Sequence, residues 1–155
     1  MKNETVRIKS IEIKNFKNVK YGILSFENKR KNYKSSVLGL YGQNGSGKTA
    51  LIDAISLLKL TLSGSPVPVH FADYVNVDAD FAALKYKFKV LQNKSEYLVS
   101  YEFKIKKIAD ESAQNTEYTD IADQKYKAVI FDEVLSYSYK NGEETVKFMP
   151  NVDTG

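Results

Sequence analysis

The sequence predicts an α/β fold of α+β character: a mixed or antiparallel sheet around one main helix, with an antiparallel β subdomain added after it. Three observations carry that expectation. Apolar and polar residues alternate with period two over several stretches, one stretch has uninterrupted helical spacing, and a glycine-rich loop joins a short apolar run to that helix.

The elements follow in order. Val6, Ile8, Ile11, Ile13 and Phe16 lie in near-alternation with charged neighbours, and the phase slips at Ser10, so the first strand is expected to contain a slip or bulge. A polar turn at Lys17 to Lys20 leads into a second strand, Tyr21 to Phe26, and the two read as a hairpin. After a polar, basic loop, Val37 to Tyr41 is a continuous apolar run of the kind shown by a strand buried on both faces. From Lys48 to Leu62 the residues Leu51, Ile55, Leu58 and Leu62 recur at spacings of four and three, with no proline between them. That spacing predicts an amphipathic helix with these four side chains inward. Gly64 reads as its C′ glycine, Pro66 stands just beyond, and an irregular connection is expected as far as Asp80.

The period then changes to two. Leu84, Tyr86, Phe88 and Val90 form one strand, Gln92 to Ser95 a turn, and Tyr97, Val99, Tyr101, Phe103 and Ile105 the next. Residues 110–123 are acidic and aperiodic and read as a loop. Lys127 to Tyr139 is a long strand whose exit, Asn141-Gly142, is a strong hairpin signal because both residues tolerate positive φ, so Thr145 to Met149 is expected to pair back. The expected organisation is an incomplete ATP-binding domain over 1–155: hairpin, loop strand and helix over 1–62, a connection over 63–80, and the antiparallel subdomain over 81–150.

Composition narrows the chemistry. The 155 residues include no cysteine and one histidine, His70, which excludes thiol nucleophiles, thiolate metal sites and a histidine cluster, so any metal must be held by oxygen. No apolar run is long enough to span a bilayer, and the first ten residues have no apolar core of a leader, so no membrane partner is expected and a cytoplasmic location is the default. Residues 1–40 carry ten positive and three negative side chains, within a net charge of +4. Such an excess can serve polyphosphate or nucleic acid, and solvated lysines on outward strand faces are the plainer reading.

The residues that carry chemistry are Gly42, Gln43, Asn44, Gly45, Ser46, Gly47, Lys48 and Thr49, which match GxxxxGK(S/T) at every position. A chain this long would show that pattern by chance only ~0.5% of the time. The match also lies between a predicted buried strand and a predicted helix, the context that the chemistry needs. Glycines let the backbone approach phosphates, successive N–H groups and the helix N-terminus offer positive partial charge, Lys48 supplies a point charge for the β and γ oxygens, and Thr49 offers a hydroxyl to magnesium. ATP and Mg are therefore the expected cofactors. A second acidic candidate, Asp132-Glu133, follows the apolar Val129-Ile130-Phe131, in the form that would provide a magnesium ligand and a base. The strand continues beyond it to Tyr139, however, whereas catalytic carboxylates of α/β folds stand at strand ends. A structural strand is the expectation, with no catalytic residue in this chain.

The segments IEIKNF (Ile11 to Phe16), LGLYGQNGSGKT and ALIDAI (Ala50 to Ile55) resemble the N-terminal part of ABC-type ATPase heads. The likeness is to RecF, SMC and overcoming-lysogenization-defect (OLD) proteins, including AAA-type ATPases of anti-phage systems, and is specific over residues 6–60. It implies a nucleotide site at Gly42 to Thr49, with Lys14, Asn15 and Lys17 as further candidates near the nucleotide. It also implies that a signature segment, a Walker B strand and a switch histidine come later in the protein. Leu62-Ser63-Gly64 resembles a signature only superficially, because it ends the helix. The chain is accordingly expected to be an N-terminal lobe whose partners are the remainder of its own head, a second head in a homodimer, and DNA. Two other readings stand beside this one: a self-contained small P-loop kinase or NTPase, and a nucleic-acid-binding module using the lysines of 85–107 with Tyr86, Tyr97 and Tyr101. The shared apolar face of those tyrosines argues that they belong to the core.

Overall fold

A computed structural model describes residues 4–27, 39–93, 95–109, 126–139 and 145–148. Strands β1 (Thr5–Phe16) and β2 (Val19–Ser25) form the hairpin, and helix α1 (Lys48–Leu62) follows. A 3-10 helix (Val69–Tyr74) then precedes β3 (Ala82–Gln92), β4 (Ser95–Ala109), β5 (Tyr126–Tyr139) and β6 (Thr145–Phe148). The strands make one six-stranded sheet in the order β2-β1-β3-β4-β5-β6, and every pairing is antiparallel. The fold is thus mostly sheet, and of the two expected sheet types, mixed or antiparallel, it is antiparallel: no parallel pair occurs among the described residues. Pairing of β1 with β3 runs the N-terminal hairpin directly into the later strands.

The phase slip read at Ser10 is a β-bulge. Ile8 stands opposite Phe88 and Ser10 opposite Lys87, so β1 gains one residue on β3 and Ile11 arrives opposite Tyr86 on the same face as Ile8. That face holds the core. Ile11 and Ile13 of β1, Ala82, Leu84 and Tyr86 of β3, and Tyr101, Phe103 and Ile105 of β4 are buried under α1. Phe16, three residues past Ile13, joins them because Asn15 takes a left-handed φ of 55° and turns the chain. Tyr86 is completely buried, and its hydroxyl donates to the Ala54 carbonyl at 2.7 Å, tying sheet to helix.

Helix α1 has the expected ends and a different inward face. Its buried residues are Ala50, Leu51, Ala54, Leu57 and Leu58, whereas Ile55 and Leu62 are exposed. The alanines explain the rotation: two small side chains let the helix lie close against the aromatic-rich sheet, and Leu57 and Leu58 flank them. The stop is a Schellman arrangement, with Ser65 N–H donating to Leu60 O at 3.0 Å, Gly64 N–H to Thr61 O at 3.2 Å, and Gly64 at φ 64°. The connection after it is less irregular than expected. It contains the 3-10 helix, buries Phe71 and Ala72, and bridges Val75 back to Phe16.

The largest correction concerns Val37 to Tyr41. Residues 39–41 are not in a strand; Leu40 is exposed and Tyr41 is 96% exposed. A strand apolar on both faces needs a neighbouring ladder for its backbone groups, and none of the described strands lies beside this segment. Residues 37 and 38, the acidic stretch 110–123 and the Asn141-Gly142 turn lie outside the described residues, while β6 pairs with β5 as the turn requires. No described helix is long and apolar enough to cross a membrane.

Candidate phosphate-binding site

The loop Gly42 to Gly47 enters α1 at Lys48. Gly47 is the N-cap with φ 88°, a left-handed conformation, and a Cβ there would stand 2.9 Å from Val19 Cγ2. Both facts require glycine. No side chain caps this helix and its first turn contains no acidic residue, so the first-turn N–H groups, which have no intrahelical acceptor, are left for an anion. These donors belong to the backbone and not to any side chain.

Lys48 lies over the loop it follows. Its ammonium donates to Gly42 O at 2.6 Å, Gln43 O at 2.7 Å and Ser46 Oγ at 3.2 Å. Neutral carbonyls are weaker acceptors than phosphate oxygens, so a polyphosphate in the loop would compete favourably for the same ammonium. Ser46 N–H donates to Gln43 O at 3.2 Å, closing a turn within the loop. Gln43, Asn44, Gly45, Ser46 and Thr49 are exposed, and the Thr49 hydroxyl lies in the helix's first turn beside the loop.

Sequence reasoning missed one neighbour. The turn between β1 and β2 leans on the loop: the Asn18 side-chain amide donates to the Gly45 carbonyl, and Lys17 pairs with Asp53 on α1 while its ammonium lies 4.1 Å from the Tyr74 ring centre. The only signal in the sequence was the polar turn itself. Of the weaker candidates, Lys17 is thus engaged with the helix rather than the loop. Asn15 gives its carbonyl to Asn76 N–H at 2.9 Å, and Lys14 is exposed on β1.

Asp132 and Glu133 are not brought to the loop. They occupy a second bulge, where Glu102 faces Val134 and Lys104 faces Phe131, and Asp132 has φ 52°. Asp132 pairs with Lys104 at 2.7 Å, and Glu133 accepts from the Tyr101 hydroxyl. Burial, with that carboxylate second, pushes the Tyr101 hydroxyl pKa above its ordinary value; Thr61 also hydrogen-bonds this hydroxyl and acts the other way. Glu133 therefore sits near the C-terminal turn of α1, a helix length of roughly 20 Å from the loop.

Comparison with known proteins agrees with the likeness read from the sequence. A family profile for the AAA ATPase domain matches residues 7–151. The chain is 36% identical over 101 residues to the DNA replication and repair protein RecF of Azobacteroides pseudotrichonymphae genomovar. CFP2, an alignment covering 65% of this chain and 25% of the relative. The match thus spans a quarter of that curated protein's length. No solved structure gives a significant match. The resemblance to RecF/SMC-like ATPases stands, and with a profile that takes in the loop, the helix and nearly all of the sheet, the chain belongs to the AAA ATPase domain family.

Proposed function

We propose that Gly42 to Thr49 bind Mg–ATP and that hydrolysis requires a further lobe of the same protein and a second ATPase head. The loop backbone and the start of α1 would hold the β-phosphate, Lys48 the β and γ oxygens, and Thr49 one position on magnesium. Magnesium, when bound, bridges phosphate oxygens and neutralises their charge. Among the described residues no cluster of three or more His, Cys, Asp or Glu could hold a metal alone, which suits an ion held largely by the nucleotide itself.

One observation carries the dependence on further chain. Apolar residues before the loop and along the outer side of α1 are uncovered: Leu40 and Tyr41 in the first, Ile52, Ile55 and Leu62 in the second. A helix that is apolar on both sides is normally sandwiched between two layers, and here the sheet supplies one. The other would come from the rest of the head, which would also supply the signature, Walker B and switch groups. DNA transactions or phage defence are the settings we infer for the whole protein, with homodimerisation of heads driven by ATP. A self-contained kinase or NTPase is disfavoured, since the described strands contain no parallel β-α-β unit. The nucleic-acid module loses its stacking platform, because Tyr86 and Tyr101 are buried in the core.

The test is a titration of the purified chain with a fluorescent ATP analogue and magnesium, alongside an ATPase assay. Saturable binding that weakens at least about tenfold in Lys48→Ala, with almost no turnover, is expected. Sustained turnover that Lys48→Ala abolishes would overturn the need for a second lobe and return Asp132 and Glu133 to consideration.

A further inference from the structure

The β1–β2 turn is held in an unfavourable shape and aimed at the phosphate loop. Asn15 and Lys17 are both left-handed, with φ of 55° and 53°, a conformation that asparagine tolerates but that costs a lysine energy and is held by its surroundings. The surroundings do so from the segment after the 3-10 helix. Lys17 N–H donates to Tyr74 O at 2.5 Å, Asn76 N–H to Asn15 O at 2.9 Å, and the Asn76 side-chain amide to Lys17 O at 2.9 Å. So braced, the turn touches the loop and helix at three points: Asn18 on the Gly45 carbonyl, Val19 against Gly47, and Lys17 on Asp53.

Gly45 needs such a hold. It is left-handed at φ 83°, and no non-neighbouring atom lies within 4 Å of where its Cβ would be, so packing does not fix it. The peptide between Gly45 and Ser46 is instead held at both ends: its carbonyl by Asn18, its N–H by Gln43 O at 3.2 Å. A planar peptide held at both ends is fixed in its own orientation, which anchors the middle of the loop.

We propose that Asn18 is a positioning residue for the phosphate loop, its side-chain amide fixing the Gly45 peptide so that the loop is shaped for a polyphosphate before one arrives. The proposal rests on the reading of Gly42 to Thr49 as the ATP site. Asn18 is exposed and outside the core, so its removal changes loop order and leaves folding intact.

The experiment uses the whole 155-residue chain, titrated with a fluorescent ATP analogue and magnesium well below its unfolding temperature, with hydrogen exchange across 43–47 and the unfolding midpoint measured in parallel. Asn18→Ala is expected to bind about five- to tenfold more weakly, the loss of one hydrogen bond, with faster loop exchange and an unchanged midpoint. Asn18→Gln, which keeps an amide donor, recovers part of the affinity. Equal affinity in Asn18→Ala and the unsubstituted chain overturns the proposal, as does a loss of affinity that only parallels a fall in the unfolding midpoint, or a variant that does not fold. Absence of binding by the unsubstituted chain would overturn the reading of the loop itself, and the proposal with it.

Discussion

Tyr86 is the residue on which sheet and helix meet. Its ring is buried against Phe103, with centroids 5.9 Å apart, and its hydroxyl reaches a carbonyl of α1. Tyr86→Phe leaves the packing and removes one buried hydrogen bond, so a loss of about 1 kcal/mol in urea unfolding is expected. The same residue is expected to make the fold alkali-sensitive. Burial raises the pKa of Tyr86, and burial with the Glu133 hydrogen bond raises that of Tyr101, both above the ordinary 10.0. Above that pH the unfolded chain loses phenolic protons that the native chain keeps. The native state then binds more protons, and stability must fall as pH rises, by up to about 1.4 kcal/mol per pH unit for each tyrosine. Urea midpoints at pH 9 and pH 11 check this; a flat profile, or one that Tyr86→Phe leaves unaltered, would count against it.

At the scale of elements, the two glycines that bound α1 do different jobs. Gly47 begins the helix in left-handed geometry with no side-chain cap, whereas Gly64 closes it with left-handed geometry and two backbone hydrogen bonds. Gly64→Ala should therefore destabilise the chain by about 1 kcal/mol, seen as a lower thermal midpoint by circular dichroism, with nucleotide affinity unchanged. The strand register was legible where the pattern itself broke: the slip at Ser10 in β1 is a bulge in the sheet. The second bulge was not legible. Asp132 and Glu133 interrupt no apolar alternation strongly enough to show it, and only the offset of β5 against Glu102 to Lys104 reveals it.

For the molecule as a whole, the decisive contrast lies between the two sides of α1. Leu57 is wholly buried against the sheet, while Ile52 is 58% and Leu62 63% exposed. Leu57→Ala should cost about 2–5 kcal/mol in urea unfolding of this chain. Ile52→Ser should change it by less than about 0.5 kcal/mol, because nothing in the described fold covers that side. A large loss from Ile52→Ser would mean that the outer side is already packed and would remove the main support for a further lobe.

The amino-acid sequence by itself determined the ends of the helix, the hairpin and the period-two strands, and it marked the glycines of the candidate loop. These depend on backbone conformation and local periodicity: glycines at 45, 47 and 64 where φ is positive, and alternation that survives any tertiary arrangement. Tertiary structure alone decided which side of α1 is inward, that β1 joins β3 in one sheet, that Lys17 turns to Asp53, and that Asn18 reaches Gly45. Those outcomes depend on contacts between residues far apart in the chain, and the energy of such a contact is not written in the composition of either segment. The segment before the loop shows the same division: its apolar run reads as a buried strand, but burial depends on a neighbouring strand that none of the described residues supplies.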